Sequence, residues 1–145
     1  MYKPKYFKAV ELVPKALYQK YKSKGDAWIL GILMDERLLQ VIDTIRENFG
    51  PMIINDWAWK GKNQWRGFRT SQCAFGATLS QHRFGRAVDM IPKDVHPDII
   101  RDDIIEDQMG RAYRHIGGLE MNIDWLHIDV RIRNNKGHIN LFDPY

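Results

Sequence analysis

The chain has 145 residues, 44% of them apolar and 28% charged, with a net charge of +4 and a pI of about 9.2. That length and balance suit one globular domain with its own core, and they exclude a disordered segment. The single cysteine, Cys73, excludes an internal disulfide and a zinc site built from several thiolates; the longest apolar run, residues 27–34, is too short to cross a membrane.

The N-terminal stretch MYKPKYFKAVELVPK is basic but has no apolar h-region and no small-residue cleavage site. No secretion signal is expected. Positive charge gathers at residues 3–24 and 60–69. A mild excess of this kind favours anionic partners, yet neither run is a nucleic-acid motif, and each reads as a solvated basic face. No repeat, low-complexity stretch or linker argues for a second domain.

Residues 14–21 (PKALYQKY) predict a short helix opened by proline. The clearest helix spans 35–48. Leu38, Val41, Ile42, Ile45 and Phe49 recur at helical spacing, and Leu39 widens the stripe. Asp35 suits the N-cap and Gly50 the stop. Residues 52–55 (MIIN) predict a strand, and 57–77 a long polar and aromatic loop. Residues 87–91 (AVDMI) predict another strand. A helix is expected over 97–116, acidic early and basic late in keeping with the helix dipole, and ended by Gly117-Gly118. Strands are expected at 119–121, 125–132 and 138–142, the last two joined by a hairpin turn at 134–137 (NNKG). Helices first, then mostly antiparallel strands, predict an α+β fold: one compact domain with a small sheet packed against helices.

Three residues stand out for chemistry. His82, Asp89 and His127 offer two imidazoles and one carboxylate, a donor set a catalytic zinc uses. Gly85 relaxes the backbone between the first two. Strand alternation puts Trp125, His127 and Asp129 on one face and Leu126, Ile128 and Val130 on the other. On spacing alone, such a trio also arises by chance. His96, His115 and His138 read as surface residues. The tryptophans Trp57, Trp59 and Trp65 read as core anchors or as a substrate-binding rim.

The stretch Ser80-Gln81-His82-Arg83-Phe84-Gly85-Arg86-Ala87-Val88-Asp89 resembles the SxHxxGxAxD signature of the zinc D-alanyl-D-alanine peptidases, at all five fixed positions. Trp125-Leu126-His127 is similar to their later motif, and Gly67-Phe68-Arg69-Thr70 to their GYRS segment. Phe75-Gly76-Ala77 fits the small-residue stretch before the signature. The family includes D,D- and L,D-carboxypeptidases, D-Ala-D-Ala dipeptidases and phage endolysins that cut the L-alanyl-D-glutamate bond. The resemblance covers roughly residues 35–130 and implies a hedgehog-like, D-Ala-D-Ala-peptidase-like fold.

It implies that His82, Asp89 and His127 hold zinc. It makes Asp124, three before the last histidine, the general base, where glutamate is commoner. In a regular strand Asp124 would face away from His127, so the strand must begin or bulge after it. Asp129 and Glu120 are rivals for that role. Arg69, or Arg66, would stabilise the oxyanion, and Ser80 would contact substrate. The expected partner is the peptidoglycan stem peptide, with no nucleic acid, no transmembrane segment and a monomeric state. The expected setting is a phage or prophage lysis enzyme, made in the host cytoplasm without a signal peptide. It would act on the wall after release or from a virion. The alternative expectation is a non-catalytic phage structural or wall-binding protein on the same fold.

Overall fold

Four helices precede the first strand in the computed structural model, which describes residues 1–144. They are α1 (Ala9–Leu12), α2 (Lys15–Tyr21), α3 (Asp26–Leu33) and α4 (Glu36–Phe49). A fifth, α5 (Pro97–Glu106), lies between strands. The strands are β1 (Met52–Ile53), β2 (Ala87–Pro92), β3 (Gly118–Glu120), β4 (Leu126–Asp129) and β5 (Asn140–Phe142). No helix among the described residues is long and apolar enough to cross a membrane.

The apolar stripe of α4 is the centre of the core. Leu38, Leu39, Val41, Ile42 and Ile45 are all buried. Burial of side chains of this size stabilises by about 1.5–3 kcal/mol each. Asp35 caps the helix by accepting from Arg37 N at 3.0 Å, and Gly50 stops it at φ +86°. Asp43, buried on the same helix, accepts from Tyr2 Oη, Lys5 N and Tyr6 N. These three donors tie the N-terminal segment across α4.

The sheet order is β1-β2-β4-β3-β5. Every pairing is antiparallel except β3–β5, which is parallel. One face carries Val88, Met90, Leu119, Leu126 and Ile128, all joined to the helical core. The opposite face carries Asp89, Glu120, His127 and Phe142.

The structure corrects two expectations and adds a helix. The turn at 134–137 forms, with Gly137 N donating to Asn134 O at 2.9 Å, but it does not join paired strands. Both edges of β4 are taken by β2 and β3, so β5 adds to the free edge of β3. The predicted helix over 97–116 ends at Glu106. A turn closes at Gly110, whose N donates to Asp107 O at 2.9 Å, so Arg111, Arg114 and His115 fall in turns and not at a helix terminus. The apolar run at 27–34 lies largely in α3, which periodicity did not mark because it is apolar on nearly every side.

Candidate metal centre

His82 sits in a 3-10 turn over Gln81–Phe84 that ends in Gly85 at φ +67°. A Cβ at Gly85 would lie 1.8 Å from Leu33 O, so only glycine fits. Gly85 O accepts from Asp35 N at 2.9 Å. The turn is thereby pinned to the junction of α3 and α4. Asp89 and His127 come from neighbouring strands and are direct partners across the β2–β4 ladder.

His82 Nδ1 donates to Gly67 O at 2.8 Å. That bond fixes the tautomer and leaves the Nε2 lone pair free. His82 Nε2 is buried and has no hydrogen-bond partner among the described residues. The nearest carboxylate oxygen, Asp89 Oδ2, is 3.4 Å away and outside hydrogen-bonding geometry. The ligand atoms of His82, Asp89 and His127 all lie within 4.8 Å of one another. A buried lone pair without a donor is costly, and a cation satisfies it. The three residues therefore fit a metal ion.

The electrostatics agree. Burial would raise the Asp89 pKa, but the His127 and His82 imidazoles outweigh it and hold the carboxyl well below its usual range. Burial pushes His82 down and keeps it neutral. Burial also works against a charged His127. Asp129 and Asp89 outweigh that effect and raise it to about 9. Its Nδ1 lies 2.7 Å from Asp89 Oδ1 and its Nε2 3.4 Å from Asp129 Oδ2. The pocket between these carboxylates stabilises positive charge.

Asp129 is fully buried and held by Arg131 through Nε (2.8 Å), Nη2 (2.5 Å) and N (3.1 Å). A Cβ at Gly118 would come within 2.5 Å of both Asp129 carboxylate oxygens. Glycine there lets the ion pair close beneath His127. A carboxylate on the far nitrogen of a ligating histidine orients the ring and raises its basicity.

No protein-family model matches the chain, and no curated protein or solved structure matches it.

A cavity of about 780 Å³ opens over the trio. Arg69 lines it, with Nη2 2.9 Å from Asp89 Oδ2 and Nε 2.6 Å from Trp65 O. Its Nη1 has no hydrogen bond among the described residues. Ser80 and Arg66 also line the cavity. Trp65 forms part of its wall, whereas Trp57 anchors the loop by donating Nε1 to Val13 O at 3.0 Å. His96 caps α5, accepting at Nδ1 from Asp98 N. His96, His115 and His138 stand apart from the trio.

The structure does not bring Asp124 to the trio. Asp124 is exposed in the bend before β4 and does not line the cavity. The strand begins only at Leu126, after a segment turned by Asn122 at φ +58°. The buried Arg101 holds that segment, donating to the carbonyls of Glu120, Ile123 and Trp125. Glu120 takes the place in the cavity instead. Its Oε2 lies 3.9 Å from His127 Nδ1, and burial raises its pKa. Extending the β3–β4 register by one residue sets Glu120 opposite His127, with Phe142 on its other side.

Proposed function

We propose that the protein is a zinc-dependent peptidase that hydrolyses the stem peptide of bacterial peptidoglycan, in the setting of phage or prophage lysis. The observation that carries this reading is the free, buried His82 Nε2 beside Asp89 and His127. Two imidazoles and one carboxylate are a common catalytic zinc set that leaves a position open. The motif resemblance at residues 80–89 and 125–127 supplies the substrate class.

His82, Asp89 and His127 hold the metal. When bound, zinc supplies a Lewis acid that activates water and polarises a carbonyl. Glu120 Oε2 takes up a proton and returns it to the leaving amine. A carboxylate whose pKa is raised by burial suits that exchange. Arg69 Nη1 donates to the developing oxyanion, while Nε and Nη2 keep the guanidinium in place. Ser80 borders the substrate path.

The test is digestion of purified peptidoglycan, with mass spectrometry of the released muropeptides. Zinc-loaded protein is expected to cut one stem-peptide bond, EDTA to stop it and added zinc to restore it. A protein that binds no zinc, or activity unchanged by EDTA, would sink the reading.

A further inference from the structure

Four cations line the cavity: Lys62, Arg66, Arg69 and Arg131. Two are already matched. Arg69 pairs with Asp89, and Arg131 with Asp129. Arg66 and Lys62 form no ion pair among the described residues.

Arg66 is the more constrained of the two. Its backbone is fixed beside a metal-site residue, because Asp89 N donates to Arg66 O at 2.8 Å. Its own N donates to Asn55 Oδ1 at 3.0 Å. Its side chain is half-buried, and its guanidinium makes one long bond, Nη1 to Ile54 O at 3.3 Å. The rest of the fork has no hydrogen bond among the described residues. Asp56 is near enough for the Arg66 charge to help lower its pKa, but its carboxylate accepts from Asn63 and not from the fork. A planar guanidinium with donors to spare matches a carboxylate with two parallel bonds. Arg66 borders β1 and β2, whereas Glu120 lies on β3, across β4. Arg66 thus lies on one side of the trio and Glu120 on the other, beside the Arg131 that Asp129 already matches.

We propose that Arg66, assisted by Lys62, binds a carboxylate of the substrate beside the bond to be cut. This rests on the stem-peptide reading above and sharpens it. A stem peptide carries two such groups: the C-terminal carboxylate of a D-Ala-D-Ala end, and the α-carboxylate of D-glutamate next to the L-Ala-D-Glu bond.

The experiment titrates the full chain, with EDTA present so that no peptide is turned over. The ligands are a stem pentapeptide, its C-terminal amide and its D-glutamate α-amide. Binding is read from tryptophan fluorescence and from the Arg66 Nε–Hε signal in NMR spectra. One of the two amidations is expected to weaken binding about tenfold, the loss of one charge-assisted contact. That amidation names the carboxylate. Arg66→Met loses the same factor toward the unmodified peptide and becomes indifferent to the amidation. Arg66→Lys recovers part of the loss. Equal binding of all three peptides to the wild type, or an amidation effect that persists in Arg66→Met, overturns the proposal. If no form of the peptide binds, the stem-peptide reading falls instead. N-acetylglycine then probes the site alone, and an Arg66 signal that it does not move overturns the carboxylate site as well.

Discussion

Asp89 and His127 face each other across the β2–β4 ladder, with Oδ1 2.7 Å from Nδ1. The contact joins the two strands at the middle of the sheet. It also aims both side chains at the free nitrogen of His82.

Metal binding should therefore stabilise the fold. At a hundred times the dissociation constant, a ligand specific for the folded state adds ~2.7 kcal/mol. For a chain of this size that corresponds to a rise in Tm of about 5–10 °C. Calorimetry with zinc and EDTA measures it. His82→Ala is expected to abolish the zinc-dependent rise, and a rise of full size in that variant would rule out His82 as a ligand.

Glu120→Gln should lower kcat about a hundredfold or more, with zinc content unchanged. Asp124→Asn should stay near wild type, since its carboxylate is exposed outside the cavity. Turnover of a defined stem peptide, with zinc measured in parallel, separates them. The reverse ranking would return the proton-transfer role to Asp124.

Asp129→Asn keeps the shape beneath His127 and removes the charge. Losing such a carboxylate costs about ten- to a hundredfold in metal affinity without abolishing binding. Competition with a chromophoric chelator reads the change. An affinity equal to wild type would show that Asp129 serves Arg131 alone.

Acid should reveal the charge on Asp35. Its hydrogen bonds to Arg37 hold its pKa below the usual carboxylate value. A depressed folded pKa adds stability above the unfolded pKa of about 3.9, and that stability is lost as pH falls through the folded value. Asp35→Asn keeps a capping side chain without the charge. Urea unfolding should show a gap between wild type and variant at pH 6 that narrows steadily below about pH 4. A gap that stays constant down to pH 2 would mean the cap works without its charge.

Much of this was legible in the chain itself, for local reasons. The α4 stripe, its Asp35 cap and its Gly50 stop are written within one helix length. Alternation in β4 assigned Leu126 and Ile128 to the core and His127 to the other face. The metal trio followed from the motifs around His82 and His127. What stayed hidden depends on distant partners. The parallel pairing of β5 with β3 follows from β4 having no free edge, which no local pattern records. Glu120 and His127 are opposed by a register that the connection over residues 121–125 does not fix. Strand parity did flag Asp124 as awkward. It could not show that Arg101, from a helix far upstream, ties down the segment that turns it outward.

The strand order has a consequence for assembly. β4 lies between β2 and β3, so His127 reaches Asp89 only after the chain has travelled out through α5 and β3 and returned. His82 and Asp89 share a short segment, but an isolated peptide of residues 80–92 would lack His127 and the Gly67 carbonyl that orients His82. High-affinity metal capture then requires β4 to seat between β2 and β3. During refolding, metal uptake should be among the last events, and its rate reports when β4 is in place.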